Sequence, residues 1–170
     1  AVNIAISNNT PPVIQAFSKS GNEDTDLAFA ASDFGNAPTY TDAESNAMAN
    51  VQITTLPANG TLYRDANSNG LVDAGEATTV GQVYTSAQLA LLKFKPTSNW
   101  NGSTSFTWMA QDNNAIPKYS TTAVNANITV TVLHAEPAIQ TSNIILSNIT
   151  DNTMDVSWTD GDGSNRIIVV

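Results

Sequence analysis

Between Asp65 and Glu76 the chain sets oxygen-bearing side chains at a spacing that could surround a hard cation. Asp65, Asn67, Asn69 and Asp73 stand at positions 1, 3, 5 and 9 of a twelve-residue stretch that Glu76 closes. Gly70, at position 6, permits the sharp turn that would bring both halves round one ion. Leu71, at position 7, would offer its backbone carbonyl, so its side chain carries no metal constraint. Ca²⁺ takes about six to eight hard oxygens, two of them from a terminal Glu, which is the chemistry this order of residues suits. Asp65, Asp73 and Glu76 packed so closely would also repel one another without a cation. The competing reading is an Asn-Gly hairpin turn that happens to be acidic; it accounts for Asn69-Gly70 but not for the placing of the three acids.

This spacing matches the calcium loop of an EF-hand at every ligand position, but the flanks differ. Residues 60–64 before the loop and 77–80 after it read as strands, which predicts a loop carried on a hairpin. The helix-pair opening of a calcium sensor is then unavailable, and the expected role of the metal is structural.

Other chemistries find little support. His134 is the single histidine and sits in a linker, and there is no cysteine, so neither a Ser/His/Asp nor a Cys/His arrangement can be assembled. Asp24 and Asp26 near Glu23 could in principle act on glycosides, but no apolar pocket is evident that would raise one of their pKa values. Trp108 and Trp158 fall in alternating runs and read as core. Trp100, between asparagines in a turn, is the tryptophan that could stack on a sugar or equally plug the end of a sandwich. The sequence therefore predicts a protein that is not an enzyme.

Charge narrows the partners. The net charge is −9, and the six Lys and Arg lie singly, so no basic stripe exists to track phosphates. Nucleic acid and anionic membrane are excluded as expected partners, and divalent cations favoured. No apolar run approaches the ~20 residues that span a bilayer, so no membrane insertion is expected. No leader-like segment opens the chain, which predicts an internal stretch of a longer polypeptide.

The elements that would position these residues are strands. Residues 51–54, 105–110 and 126–132 alternate apolar and small polar side chains, the period of half-buried strands. Turn residues separate them at 57–60, 67–70 and 99–102. Only residues 86–92 read as helical, with Ser86 as the cap. Strands 2–7 and 128–132 are each followed by a polar, proline-containing linker and a new strand, so one junction motif occurs twice. The predicted layout is a final strand of a preceding domain (1–7), a linker (8–12), a sandwich (13–133), a second linker (134–137) and the first strands of another β domain (138–170). Three strands in that last segment, at 142–149, 153–159 and 166–170, would not close a core alone.

Read in order, Asn22-Glu23-Asp24-Thr25, Tyr40-Thr41-Asp42-Ala43-Glu44, Leu56-Pro57-Ala58-Asn59-Gly60-Thr61-Leu62, Leu91-Leu92-Lys93-Phe94-Lys95-Pro96, Asn99-Trp100-Asn101-Gly102 and Gln111-Asp112-Asn113 resemble the bacterial cadherin-like repeat of large surface adhesins. The resemblance runs from about residue 11 to 132. The tail from Pro137 is similar to the opening of a fibronectin type III domain, with Trp158 as its second-strand tryptophan. These resemblances imply an all-β fold: an Ig- or cadherin-like antiparallel β-sandwich with a calcium-loop hairpin insertion, flanked by partial β domains.

The cadherin-like resemblance also implies a second calcium site at a domain junction, with Glu23, Asp42, Glu44 and Asp112 as ligands and Asn9 of the linker adding an oxygen. The chain departs from the family pattern with Glu44-Ser45-Asn46 and with linkers Asn8-Asn9-Thr10 and His134-Ala135-Glu136, each less acidic than the family's usual residues. The resulting expectation is a calcium-binding structural or adhesive repeat, extracellular or at the cell surface, acting as a rigid spacer. Its partners would be neighbouring domains of the same chain or identical subunits. Two alternatives stand beside it: a filament subunit that completes its neighbour's sheet by strand complementation, and a carbohydrate-binding accessory module of a secreted enzyme, with a surface glycan as target.

Overall fold

The computed structural model describes residues 8–132 and 139–162. The chain divides into two compact units, residues 1–133 and 134–170. The expected strand at 2–7, the linker at 134–137 and the expected strand at 166–170 lie outside the described residues.

The first unit is all-β apart from two short helices. Its strands are β1 (Val13–Ile14), β2 (Phe17–Asn22), β3 (Leu27–Ala28), β4 (Tyr40–Thr41) and β5 (Met48–Ile53), then β6 (Gly60–Arg64), β7 (Val83–Thr85), β8 (Leu92–Pro96), β9 (Gly102–Asp112) and β10 (Val124–Thr131). Helix α1 (Ala31–Gly35) follows β3, and α2 (Ser86–Leu89) follows β7. One sheet has the order β2-β10-β9-β5-β7, a second has β3-β8-β6, and β1 pairs with β4. Pairing is antiparallel except between β2 and β10, which run parallel.

Both larger sheets turn apolar faces to one core, which gives the unit a sandwich-like build. Val51, Ile53, Phe106, Trp108, Ala126 and Ile128 come from the five-stranded sheet, and Leu27, Leu62, Leu92 and Phe94 from the three-stranded one. The alternation read from the sequence at 105–110 and 126–132 is the inward set of β9 and β10. Phe17, Phe29, Phe34, Phe106 and Trp108 interlock with ring centroids 5.1–6.5 Å apart, mostly edge to face. That geometry suits the ring quadrupole and adds to the apolar burial.

Helix α1, which delivers Phe34 to this cluster, has no counterpart in the sequence reading. Five residues are too few to show a helical period. Its start is held by Asp33, whose carboxylate accepts the Ala30 amide at 2.7 Å and the Lys19 ammonium at 2.6 Å. The expected helix over 86–92 is shorter than its pattern. Thr85, not Ser86, caps it, accepting the Gln88 amide while the Gln88 side chain accepts the Thr85 amide at 2.9 Å. It ends at Leu89 because Leu92 is already paired with Arg64 in β8. Residues 77–80 form no strand either. Ala77 makes one bridge to Tyr63 and Thr78 donates to the Leu62 carbonyl at 2.9 Å, after which the chain turns through Gly81 (φ +87°) into β7.

Trp100 plugs the sandwich rather than standing out from it. Half-buried, it packs on the core and lies against Gly102, where an added Cβ would sit 3.1 Å from the ring. In the second unit β11 (Ser142–Ser147) and β12 (Asp155–Thr159) form an antiparallel pair, as the alternation at 142–149 and 153–159 predicts. Trp158 is half-buried there, and its indole Nε1 donates to Asp160 at 2.9 Å.

All four tyrosines sit where ionisation is disfavoured. Burial, followed by the charges of Asp42 and Asp112, pushes Tyr40 up to about 12 from 10.0. Burial and the bond to Asp26 raise Tyr63 further, and burial also raises Tyr84 and Tyr119. A phenol raised by folding lends stability that is complete below pH 10 and is lost as pH climbs through its folded value. Absorbance at 295 nm should therefore show the folded protein lagging the denatured chain in tyrosinate formation from about pH 10 upward. Superimposable curves would contradict the burial described here.

Candidate metal centre

Residues 65–76 leave the end of β6 and come back beside it. Asp65 is fixed by its backbone, donating to the Leu91 carbonyl at 3.0 Å, and its side chain is 1% exposed. One carboxylate oxygen, Oδ1, accepts the Asn69 amide at 3.0 Å; Oδ2 accepts the Gly70 amide at 3.0 Å and the Lys93 ammonium at 2.7 Å. The Lys93 bond is the chief reason the Asp65 carboxyl is held below its ordinary pKa. Gly70 takes φ +74° with open space around it, as the sequence reading requires of that position. Its carbonyl accepts Lys95 Nζ at 3.1 Å.

In the second half of the loop the Glu76 carbonyl accepts the Arg64 amide of β6 at 3.0 Å, while the two carboxylates are tied to the loop itself. Asp73 Oδ2 accepts the side-chain amides of Asn67 at 2.8 Å and Asn69 at 2.9 Å. The Glu76 carboxylate accepts the backbone amides of Ala66 at 2.8 Å and Asp73 at 3.2 Å. Leu71 points into solvent at 58% exposure. Thus all six expected ligands lie in one closed bend. Its donors are hard oxygens, the kind calcium selects, and a cation, the Lys93 ammonium, already stands at Asp65. Among the described residues, however, no three Asp, Glu or His side chains converge as a ready group of ligands.

The junction residues divide. Asn9, Asp42, Glu44 and Asp112 come together below β1 and β4. Asn9, 4% exposed, donates to Asp112 Oδ2 at 2.9 Å and to the Ile116 carbonyl at 2.9 Å. Asp112 is wholly buried, and its Oδ1 accepts the amides of Asn114 and Lys118. Asp42 Oδ1 accepts the amides of Glu44 and Asn46, and its Oδ2 is buried without a hydrogen-bond partner. Glu44 accepts the Thr10 hydroxyl at 2.7 Å. Glu23 lies elsewhere: it follows Asn22, which pairs with Thr131 at the far end of β10, whereas Asp112 lies four residues beyond Trp108, the partner of the β10 start, roughly 35 Å away along the sheet.

Sequence reasoning missed the basic residues in both places. Lys93 and Lys95 hold the loop, and Lys118 donates its ammonium to the Asn9 carbonyl. The Lys93-Phe94-Lys95 alternation was the available signal: it puts two ammoniums on the outer face of a strand whose partner carries Asp65. Asp26, weighed as a catalytic acid, instead accepts the Tyr63 hydroxyl at 2.6 Å and pairs with Lys95 at 3.4 Å.

No protein-family model matches the chain, and no curated protein matches it in sequence. What the fold and the two clusters define is an all-β protein with one acidic cluster in a loop and another at one end of its sheets.

Asn9→Ala should cost about 1–3 kcal/mol, because it takes a partner from a carboxylate that water does not reach. Denaturant unfolding of the variant beside the parent would measure it, and an unchanged midpoint would show that the Asn9 contact does not stabilise the fold.

Proposed function

We propose that this chain is a non-catalytic, calcium-stabilised structural module of a long extracellular protein, a spacer that holds its neighbours at a set distance. Its finer fold would be an Ig- or cadherin-like sandwich, with the second unit as the opening of a fibronectin type III-like domain. The observation that carries the reading is the bend from Asp65 to Glu76, in which five oxygen-bearing side chains at calcium-loop spacing are hydrogen-bonded within the bend. The ion would be held by Asp65, Asn67, Asn69, Asp73, Glu76 and the Leu71 carbonyl, and would neutralise the loop's acids. A loop of this kind, leaving β6 and returning beside it without flanking helices, offers no helix pair to open, so its calcium would hold shape rather than signal.

The second cluster supports the spacer role in another way. Asn9, in the segment before β1, is buried against Asp112 and Asn46. That segment is thereby fastened to the body of the module. The buried carboxylate oxygen of Asp42 without a partner is the one acidic oxygen there that a cation would answer.

Extracellular modules bind calcium at roughly 10⁻⁴ to 10⁻³ M. At about 10 mM calcium and a Kd of about 10⁻⁴ M, binding adds about 2.7 kcal/mol to stability. For a chain of this length that is a rise in Tm of roughly 6–10 °C. Calorimetry with calcium and with chelator is the test, and traces that superimpose would end this reading.

A second reading, assembly of copies through shared sheets, draws on one observation. Ile144 and Leu146 of β11 are 67% and 53% exposed on a two-stranded sheet, too little structure to be stable alone. Sedimentation velocity would detect it as concentration-dependent association, and a single monomeric species up to about 100 μM would exclude it, since specific association tighter than that is readily populated.

A further inference from the structure

We infer that Lys93 is the built-in counter-ion of the 65–76 loop and that it sets the loop's calcium affinity. It shapes the loop before any metal arrives and keeps binding weak. This inference rests on the calcium reading above and concerns how that site is tuned.

The two halves of the loop are held differently. Residues 65–70 are pinned from outside. Lys93 Nζ reaches Asp65 Oδ2 at 2.7 Å, and Lys95 Nζ reaches the Gly70 carbonyl at 3.1 Å and Asp26 at 3.4 Å. Both lysines project from the outer face of β8, whose inner face buries Leu92, Phe94 and Pro96. Register places Lys93 opposite Tyr63, two residues before Asp65. Tyr63 is itself buried and donates to Asp26. The fixed half is thus bolted to the core through one strand. The carboxylates of Asp73 and Glu76, by contrast, bond only to loop amides.

Asp65 would be the first calcium ligand, yet it is buried with a cation already on it. An ammonium and a calcium ion drawn to one carboxylate repel each other, and the amount follows from Coulomb's law. At about 5 Å in a water-like surround, a double and a single positive charge oppose each other enough to weaken binding about tenfold. The same ammonium neutralises Asp65 when calcium is scarce, so the bend need not fly apart. A site built this way responds to calcium in the millimolar range and stays folded below it.

The test uses the full chain and calcium itself. Calcium affinity is measured by titration calorimetry for the parent, Lys93→Met, Lys93→Gln, Lys93→Arg and Lys19→Met. Both neutral replacements of Lys93 should bind calcium about tenfold more tightly. In chelator they should melt at a lower temperature than the parent. Lys93→Gln keeps a donor for Asp65 and so covers the case in which Lys93→Met fails to fold. Lys93→Arg retains the charge and should keep the parent affinity. Lys19→Met removes the ammonium paired with Asp33 and should leave affinity unchanged. If the parent binds calcium and the neutral Lys93 variants bind equally or more weakly, the inference is overturned while the calcium reading stands. If neither parent nor variants bind calcium, both fall.

Discussion

Strand β8 is the piece on which the arrangement turns. Five residues, Leu92–Pro96, alternate between two duties. Leu92 and Phe94 are wholly buried between the sheets, while Lys93 and Lys95 face outward to Asp65, Asp26 and the Gly70 carbonyl. Because successive side chains on a strand point to opposite faces, any force that shifts the register of β8 moves both sets at once. Core packing thereby fixes where the two ammoniums stand. The loop inherits its position from the sandwich.

This coupling explains how a long polar excursion can be carried on a short strand without a disulfide, since the chain has no cysteine. A twelve-residue connection with three acids has little to hold it against chain entropy. Here the backbone of Asp65 is tied to Leu91, its carboxylate to Lys93, and Thr78 on the return leg to Leu62. The loop is closed at its base by these contacts, and the oxygens of its outer bend lie beyond them. Metal would complete a bend already shaped.

At the other acidic cluster the same logic is applied with uncharged partners. Asp112, fully buried at the end of β9, is answered by the Asn9 amide and by backbone amides of the turn that follows. Burying a carboxylate without partners would cost several kcal/mol, and three hydrogen bonds answer that cost. Asp42, a few ångströms of chain from β4, has one oxygen so answered and one not.

The alternation of 105–110 and 126–132, the Asn-Gly turns and the oxygen spacing from Asp65 to Glu76 were legible in the residues alone, because period and turn chemistry are local properties. So was the core role of Trp108. What stayed hidden depended on partners distant in sequence. Lys93 is 28 residues from Asp65, and Asn9 is 103 residues from Asp112. Helix α1 was invisible since five residues carry no period, and residues 77–80 look like a strand but are drawn off into the turn that feeds β7. Glu23 shares its residue type with the junction acids, yet the parallel pairing of β2 with β10 carries it to the opposite end of the sheet. The chain's order of residues decided which groups could bond; only strand register decided which of them met, since a hydrogen bond requires closeness in space and not in sequence.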